Sequence, residues 1–221
     1  MKSKSIKRIA LLAMFVAIAY ALQFVFRIKV QFLTFDAKDA VLTIGAMICG
    51  PISAITMSTL IGVMEFFFIS DTGFWGMLMN ILGSIAFSFT ASILYKFRRT
   101  FWGAIVGLSC SVVVMTAVML LSNLLITPIY TGMAVGDVAM MIPALLLPFN
   151  FAKAIFNAAL VLILYKPMIT ALRRAKLIPS SEKRQSWKVD RNTAWMVLLA
   201  IVFMAIGIGI FLYLGGSLVI G

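Results

Sequence analysis

"AVLTIGAMICGPISAITMSTLIGVMEFFFI", residues 40–69, is too long for one membrane helix and short for two. At about 1.5 Å per residue, the part from Pro51 to Ile69 reaches roughly 28 Å, nearly the thickness of a bilayer's hydrocarbon core. Residues 33–49 supply a second crossing before it. Gly50-Pro51 predicts a tight turn between the two, because proline ends a preceding helix and can start the next. Lysine and arginine settle the count. With two crossings here and a cytoplasmic N-terminus, fifteen of the nineteen basic residues fall on the cytoplasmic side. They lie at 2–8, at 96–99 and between 166 and 191. Arg27, Lys29 and Lys38 are left outside, and only Lys153 lies within a span. With one crossing, eleven charges would face outward, against the positive-inside rule.

Outward from that stretch, apolar runs recur along the whole chain. Hydrophobic residues make up 63% of 221 positions, where a soluble domain holds about 45–50%. The predicted spans are 7–26, 40–49 with its flanks, 51–69, 75–95, 102–126, 143–165 and 194–214. They lack barrel-type alternation and are rich in Leu, Ile, Ala and Met, so the expected class is an all-α integral membrane protein. Residues 1–176 form a six-helix body and 177–193 a basic cytoplasmic linker. Residues 194–221 add a seventh, C-terminal transmembrane helix. The apolar run from Ile9 to Phe26 exceeds a signal-peptide core of about 7–15 residues, which favours a retained helix over cleavage near Ala19 or Ala21.

Several function classes drop out. The net charge of +12 lies beside the spans instead of striping a soluble surface, so no nucleic acid is expected. Histidine is absent, and the two cysteines, Cys49 and Cys110, sit inside apolar runs; neither a disulfide framework nor a zinc site follows. The chain has no P-loop, HExxH or GxSxG motif and no internal repeat. It reads as neither an enzyme nor a transporter that powers itself, and no cofactor is expected.

"LLLPFNFAKAIFNAALVLILY", residues 145–165, carries Asn150, Lys153 and Asn157 into oil. Their i, i+3, i+7 spacing puts them on one helix face. A lysine at the bilayer centre costs about 2.5–3.5 kcal/mol on insertion scales, so it should face the bundle interior with partners. Pro148 frees a carbonyl beside it. In the topology above, Glu65, Asn80, Asn123, Asn150 and Lys153 approach one outer level, with Asn157 deeper. Amides and charges converging from four helices predict a small-molecule pocket with an external mouth. Plainer roles are open to each: interhelical glue for Asn80 and Asn157, a Lys153–Glu65 ion pair, or a Glu65 that snorkels to the interface. Asp36, Asp39, Asp71 and Asp137 read as solvated outer-loop residues. Trp75, Tyr130 and Phe149 read as an aromatic belt, with lining of the pocket mouth as the lesser alternative, and the fifteen methionines as pliable packing. Ala13, Ala17 and Ala21 make a small-residue groove for a partner helix, internal or from a second protein.

At "NLLITPIY" (123–130), "LLPFNFAK" (146–153), "AMFVAIAYAL" (13–22) and "MNILGS" (79–84) the sequence resembles the substrate-binding (S) components of energy-coupling factor (ECF) vitamin transporters, in particular the riboflavin-binding branch. The resemblance covers residues 6–174. It implies a prokaryotic plasma-membrane protein that captures riboflavin from outside. Uptake would be driven by a transmembrane coupling subunit and two cytoplasmic ATPases. Asn123, Asn150 and Lys153, and less directly Asn80, match flavin-contacting positions, and Ala13, Ala17 and Ala21 match the face that meets the coupling subunit. The seventh segment departs from the six-helix pattern. FMN or another vitamin as cargo, and a scaffold subunit that binds no solute, stand as alternatives.

Overall fold

The structure, a computed structural model, describes residues 2–30, 32–68, 73–175, 177, 195, 198, 200–207 and 209–210. Helix α1 (Lys2–Val25) leads into a β-hairpin of β1 (Arg27–Val30) and β2 (Leu33–Asp36). Helices α2 (Lys38–Cys49), α3 (Ile52–Phe68), α4 (Gly73–Phe97) and α5 (Phe101–Thr131) follow. The last are α6 (Val135–Met141), a π-helical turn (Ile142–Leu146) and α7 (Leu147–Arg174). Among the described residues, four helical stretches are long and apolar enough to cross a bilayer: 6–25, 73–97, 102–131 and 135–174; the apolar helix Ile52–Phe68 is shorter.

The hairpin corrects the reading of residues 33–49 as a helical span. "RIKV" and "LTFD" alternate with period two and pair in register from Arg27 opposite Asp36 to Val30 opposite Leu33. Two residues separate the strands, too few for anything but a turn. What remains of the second span is α2, twelve residues or roughly 18 Å, too short to cross alone. It lies at the centre of the bundle, touching α1, α3, α4 and α7. Gly45 permits that packing, since a Cβ there would lie 2.9 Å from the ring of Phe15. The predicted break at Gly50-Pro51 is present, with Gly50 at φ 102°, a conformation that favours glycine.

Burial is inverted relative to a soluble domain. Phe24, Phe67, Phe97, Trp102, Leu125 and Ile129 are exposed, whereas Asp36, Lys38, Asp39, Glu65, Asn123, Asn150, Lys153 and Asn157 are buried. Lipid as the outer solvent explains both halves of that pattern. Asp36 and Asp39 are therefore not solvated loop residues, and Lys38 is not an outer loop charge; Asp137 is exposed as expected, and Asp71 lies outside the described residues. The linker 177–193, apart from Leu177, also lies outside them. Within 194–221 the described residues are helical. Ala200 and Gly207 are buried there, and a Cβ on Gly207 would sit 3.2 Å from the Ala152 carbonyl of α7.

Candidate functional site

The hairpin folds onto the bundle because one of its faces is aromatic. Phe26 stacks on Phe156 at 5.2 Å, and Phe35 packs against Phe149 and Phe156. Asn157 fastens the junction between hairpin and α2. Its Nδ2 donates to the Asp36 carbonyl at 2.9 Å and to the Lys153 carbonyl at 3.0 Å, and its Oδ1 accepts from the Ala40 N–H at 2.9 Å. Both donors and the carbonyl of this amide are used by protein.

Two charge clusters follow from that docking. Lys153 Nζ donates to Asp36 Oδ2 at 2.9 Å and to the Thr34 carbonyl at 3.0 Å. Its ion-pair partner is thus Asp36, where Glu65 had been the candidate. Glu65 instead pairs with Lys38 and accepts from Gln23 through Oε1, while Asn80 Nδ2 donates to its Oε2 at 2.9 Å. Lys38 also lies 3.9 Å from Asp36, so the two clusters form one network across α1, the hairpin, α2, α3, α4 and α7. Buried charges persist only when paired and hydrogen-bonded in this way.

Above the network lies an open cleft whose empty space of about 570 Å³ includes the solvent at its mouth. Phe32, Leu33 and Thr34 of the hairpin cover it; Asn80, Ser84 and Asp39 supply one polar wall, Asn150 and Lys153 another. Met79, Met115, Met119, Tyr130 and Phe149 make the apolar walls. The ring of Phe32 meets Tyr130 edge-on at 6.4 Å, joining the hairpin turn to the end of α5. The π-turn lies just before Asn150, whose Nδ2 donates to the Leu146 carbonyl at 2.8 Å.

Of the six polar residues singled out from sequence, Asn80, Asn150 and Lys153 line this cavity. Glu65 and Asn157 lie in the network behind it. Asn123 is fully buried and bonded within its own helix, Nδ2 to the Met119 carbonyl at 2.7 Å and Oδ1 to Thr127 at 3.0 Å. Tyr130 and Phe149 line the cavity instead of forming an interfacial belt. Missed altogether were Asp36, Lys38 and Asp39. The signal was present: Asp39 abuts the apolar run "AVLTIGAMI" with no turn residue between them, so it enters the bundle with α2.

A membrane bundle with a hairpin packed on its interior and a polar cleft beneath it fits a subunit that captures a solute. A family model for the substrate-specific component of ECF transporters matches residues 7–165, and the chain belongs to that family. It is similar to the riboflavin transporter RibU of Staphylococcus aureus (strain TCH60), with 29% identity over 179 residues, covering 76% of this chain and 93% of the relative. A solved structure described as the S component of a bacterial ECF transporter superposes with a TM-score of 0.65. The two share 28% identity, over 77% of this chain and 99% of the other. The chain is thus an S component, a class of transport subunit and not of enzyme, in the membrane of a prokaryote.

Proposed function

We propose that this S component captures riboflavin in the cavity beneath the hairpin. The single observation that carries the reading is the pairing of a polar wall, Asn150 and Lys153, with apolar walls of methionine and aromatic side chains around one cleft. A flavin offers the complement: a flat tricycle and a pyrimidine edge of carbonyls and an N–H. An ammonium has three donors, and Lys153 uses two on Asp36 and Thr34, so one remains for a flavin carbonyl or ring nitrogen. The relative's name supports the same cargo.

Asn80, Asn150 and Lys153 are the proposed ligand contacts; Glu65 holds Asn80 and Asn157 holds the Lys153 backbone, while Asn123 braces α5 through Met119 and Thr127. FMN fits less well, because the charge of Lys153 is already met by Asp36 and a phosphate would find no second lining cation. The mouth faces outside and the N-terminus lies in the cytoplasm, as the distribution of lysine and arginine favours. The hairpin turn and the loop after α5 gate the mouth through Phe32 and Tyr130. Ala13, Ala17 and Ala21 are exposed along α1 and form the face for the coupling subunit, through which two ATPases drive uptake. The helix within 194–221, packed on α7, is a seventh span. Titration of the purified chain with riboflavin, followed by quenching of flavin fluorescence, tests the cargo: saturable quenching is expected, and a colourless protein that ignores riboflavin would defeat the riboflavin reading and leave another cargo or a scaffold role.

A further inference from the structure

The cavity wall that α2 and α4 contribute holds an acid with an unused oxygen. Asp39 enters at the first turn of α2, where the helix dipole favours a carboxylate, and is 1% exposed. Ser84 of α4 donates to its Oδ1 at 2.5 Å. Its Oδ2 is buried with no hydrogen-bond partner among the described residues. Asp39 also makes no ion pair among them: Lys153 is taken by Asp36, and Lys38 by Glu65 and Asp36. Three carboxyl groups thus share two ammonium groups in this interior, and Asp39 is the one left over. Asp36 Oδ1 is unpartnered among the described residues too, but its carboxylate is paired with Lys153; on Asp39 the unmet acceptor bears its desolvation penalty with no ion pair to offset it.

Asp39, Ser84 and Asn80 line the cavity together, and Asn80 and Ser84 lie one turn apart on α4. A carboxylate and a hydroxyl on one wall match a ligand segment rich in O–H donors, not a flat aromatic edge. We propose that Asp39, oriented by Ser84, accepts hydrogen bonds from the hydroxyl groups of the ligand's polyol side chain and so determines specificity for a polyhydroxylated ligand. This rests on the riboflavin reading and divides the ligand in two: the ring edge on Asn150 and Lys153, the chain on Asp39.

The test crosses two ligands with one substitution in the full chain: riboflavin, and lumiflavin, which has the same ring and a methyl group in place of the chain. Hydrogen bonds to a charged group are strong enough that Asp39→Ala should weaken riboflavin about tenfold or more, with lumiflavin changed less than about twofold. Equal losses for both ligands, or no loss for either, overturn the assignment while leaving the flavin site standing. If the unmodified protein binds neither flavin, the cargo reading falls and this inference with it. Thermal unfolding verifies that Asp39→Ala is folded. Should it not fold, Asp39→Asn keeps the shape and carries the same test, with a loss of about threefold or more confined to riboflavin.

Discussion

The two ends of the bundle treat charge in opposite ways. At the hairpin end Asp36, Lys38, Asp39, Glu65 and Lys153 are buried. At the far end Lys96, Arg98, Arg99 and Arg174 are exposed at the C-termini of α4 and α7, where cations also suit the helix dipoles. The hydroxyls of Tyr95 and Tyr165, 2.6 Å apart, tie those two helices together below the cavity. Charge at the far end costs little because water and headgroups solvate it. The buried charges at the hairpin end persist only through partners from other elements, while Lys29 on the hairpin is exposed. A buried network of this kind is expensive to break and specific in shape, which is what a binding site requires; the exposed end can change freely without disturbing the fold.

The sharpest way to break that comparison is Glu65→Ala. It leaves Lys38 with Asp36 alone at 3.9 Å, and loss of one partner of a buried pair costs about 3–5 kcal/mol. Thermal unfolding in detergent should show it, and Lys38→Met combined with Glu65→Leu should recover most of the loss, since apolar replacements of a whole pair are tolerated. Next in size is Lys153→Met. Asp36 keeps Lys38 at the longer distance, so about 2–3 kcal/mol of stability goes, and riboflavin binding weakens at least about tenfold. Unchanged affinity there would show the lysine to be purely structural.

A finer contrast separates two asparagines that look alike in sequence. Asn150→Ala should weaken riboflavin by about 1.4 kcal/mol, or tenfold. Asn123→Ala should cost about 1 kcal/mol of stability and leave affinity within about threefold. At the exposed end, Arg174→Ala should shift unfolding by no more than about 0.5 kcal/mol; a shift like that of Glu65→Ala would erase the distinction between the ends. Ala17→Leu, on the exposed stripe of α1, should alter neither stability nor riboflavin affinity yet abolish uptake by whole cells. Normal uptake would reject that stripe as the docking face.

Much of this could be read from residue order. Apolar length announced the helices, Gly50-Pro51 the break between α2 and α3, and the cost of an ammonium in oil marked Lys153 as interior. Less legible were the hairpin and everything it carries. "RIKVQFLTFD" holds both strands, but a pair of four-residue alternations is a weak signal beside runs of twenty apolar residues. With no strand read in 27–36, Asp36, Lys38 and Asp39 fall to the outer solvent.

What the order of residues determined alone was the solvent: a chain this apolar must lie in lipid, its cationic segments must flank the spans, and any amide or charge within them must point inward. Partner choice belonged to the tertiary structure. Lys153 had Glu65 and Asp36 as candidate anions, and only the folding of the hairpin onto Phe149 and Phe156 brought Asp36 to 2.9 Å and left Glu65 to Lys38. Helix periodicity reports which face a side chain shares; it carries no information on which distant segment will meet that face, because that depends on how several apolar surfaces pack at once.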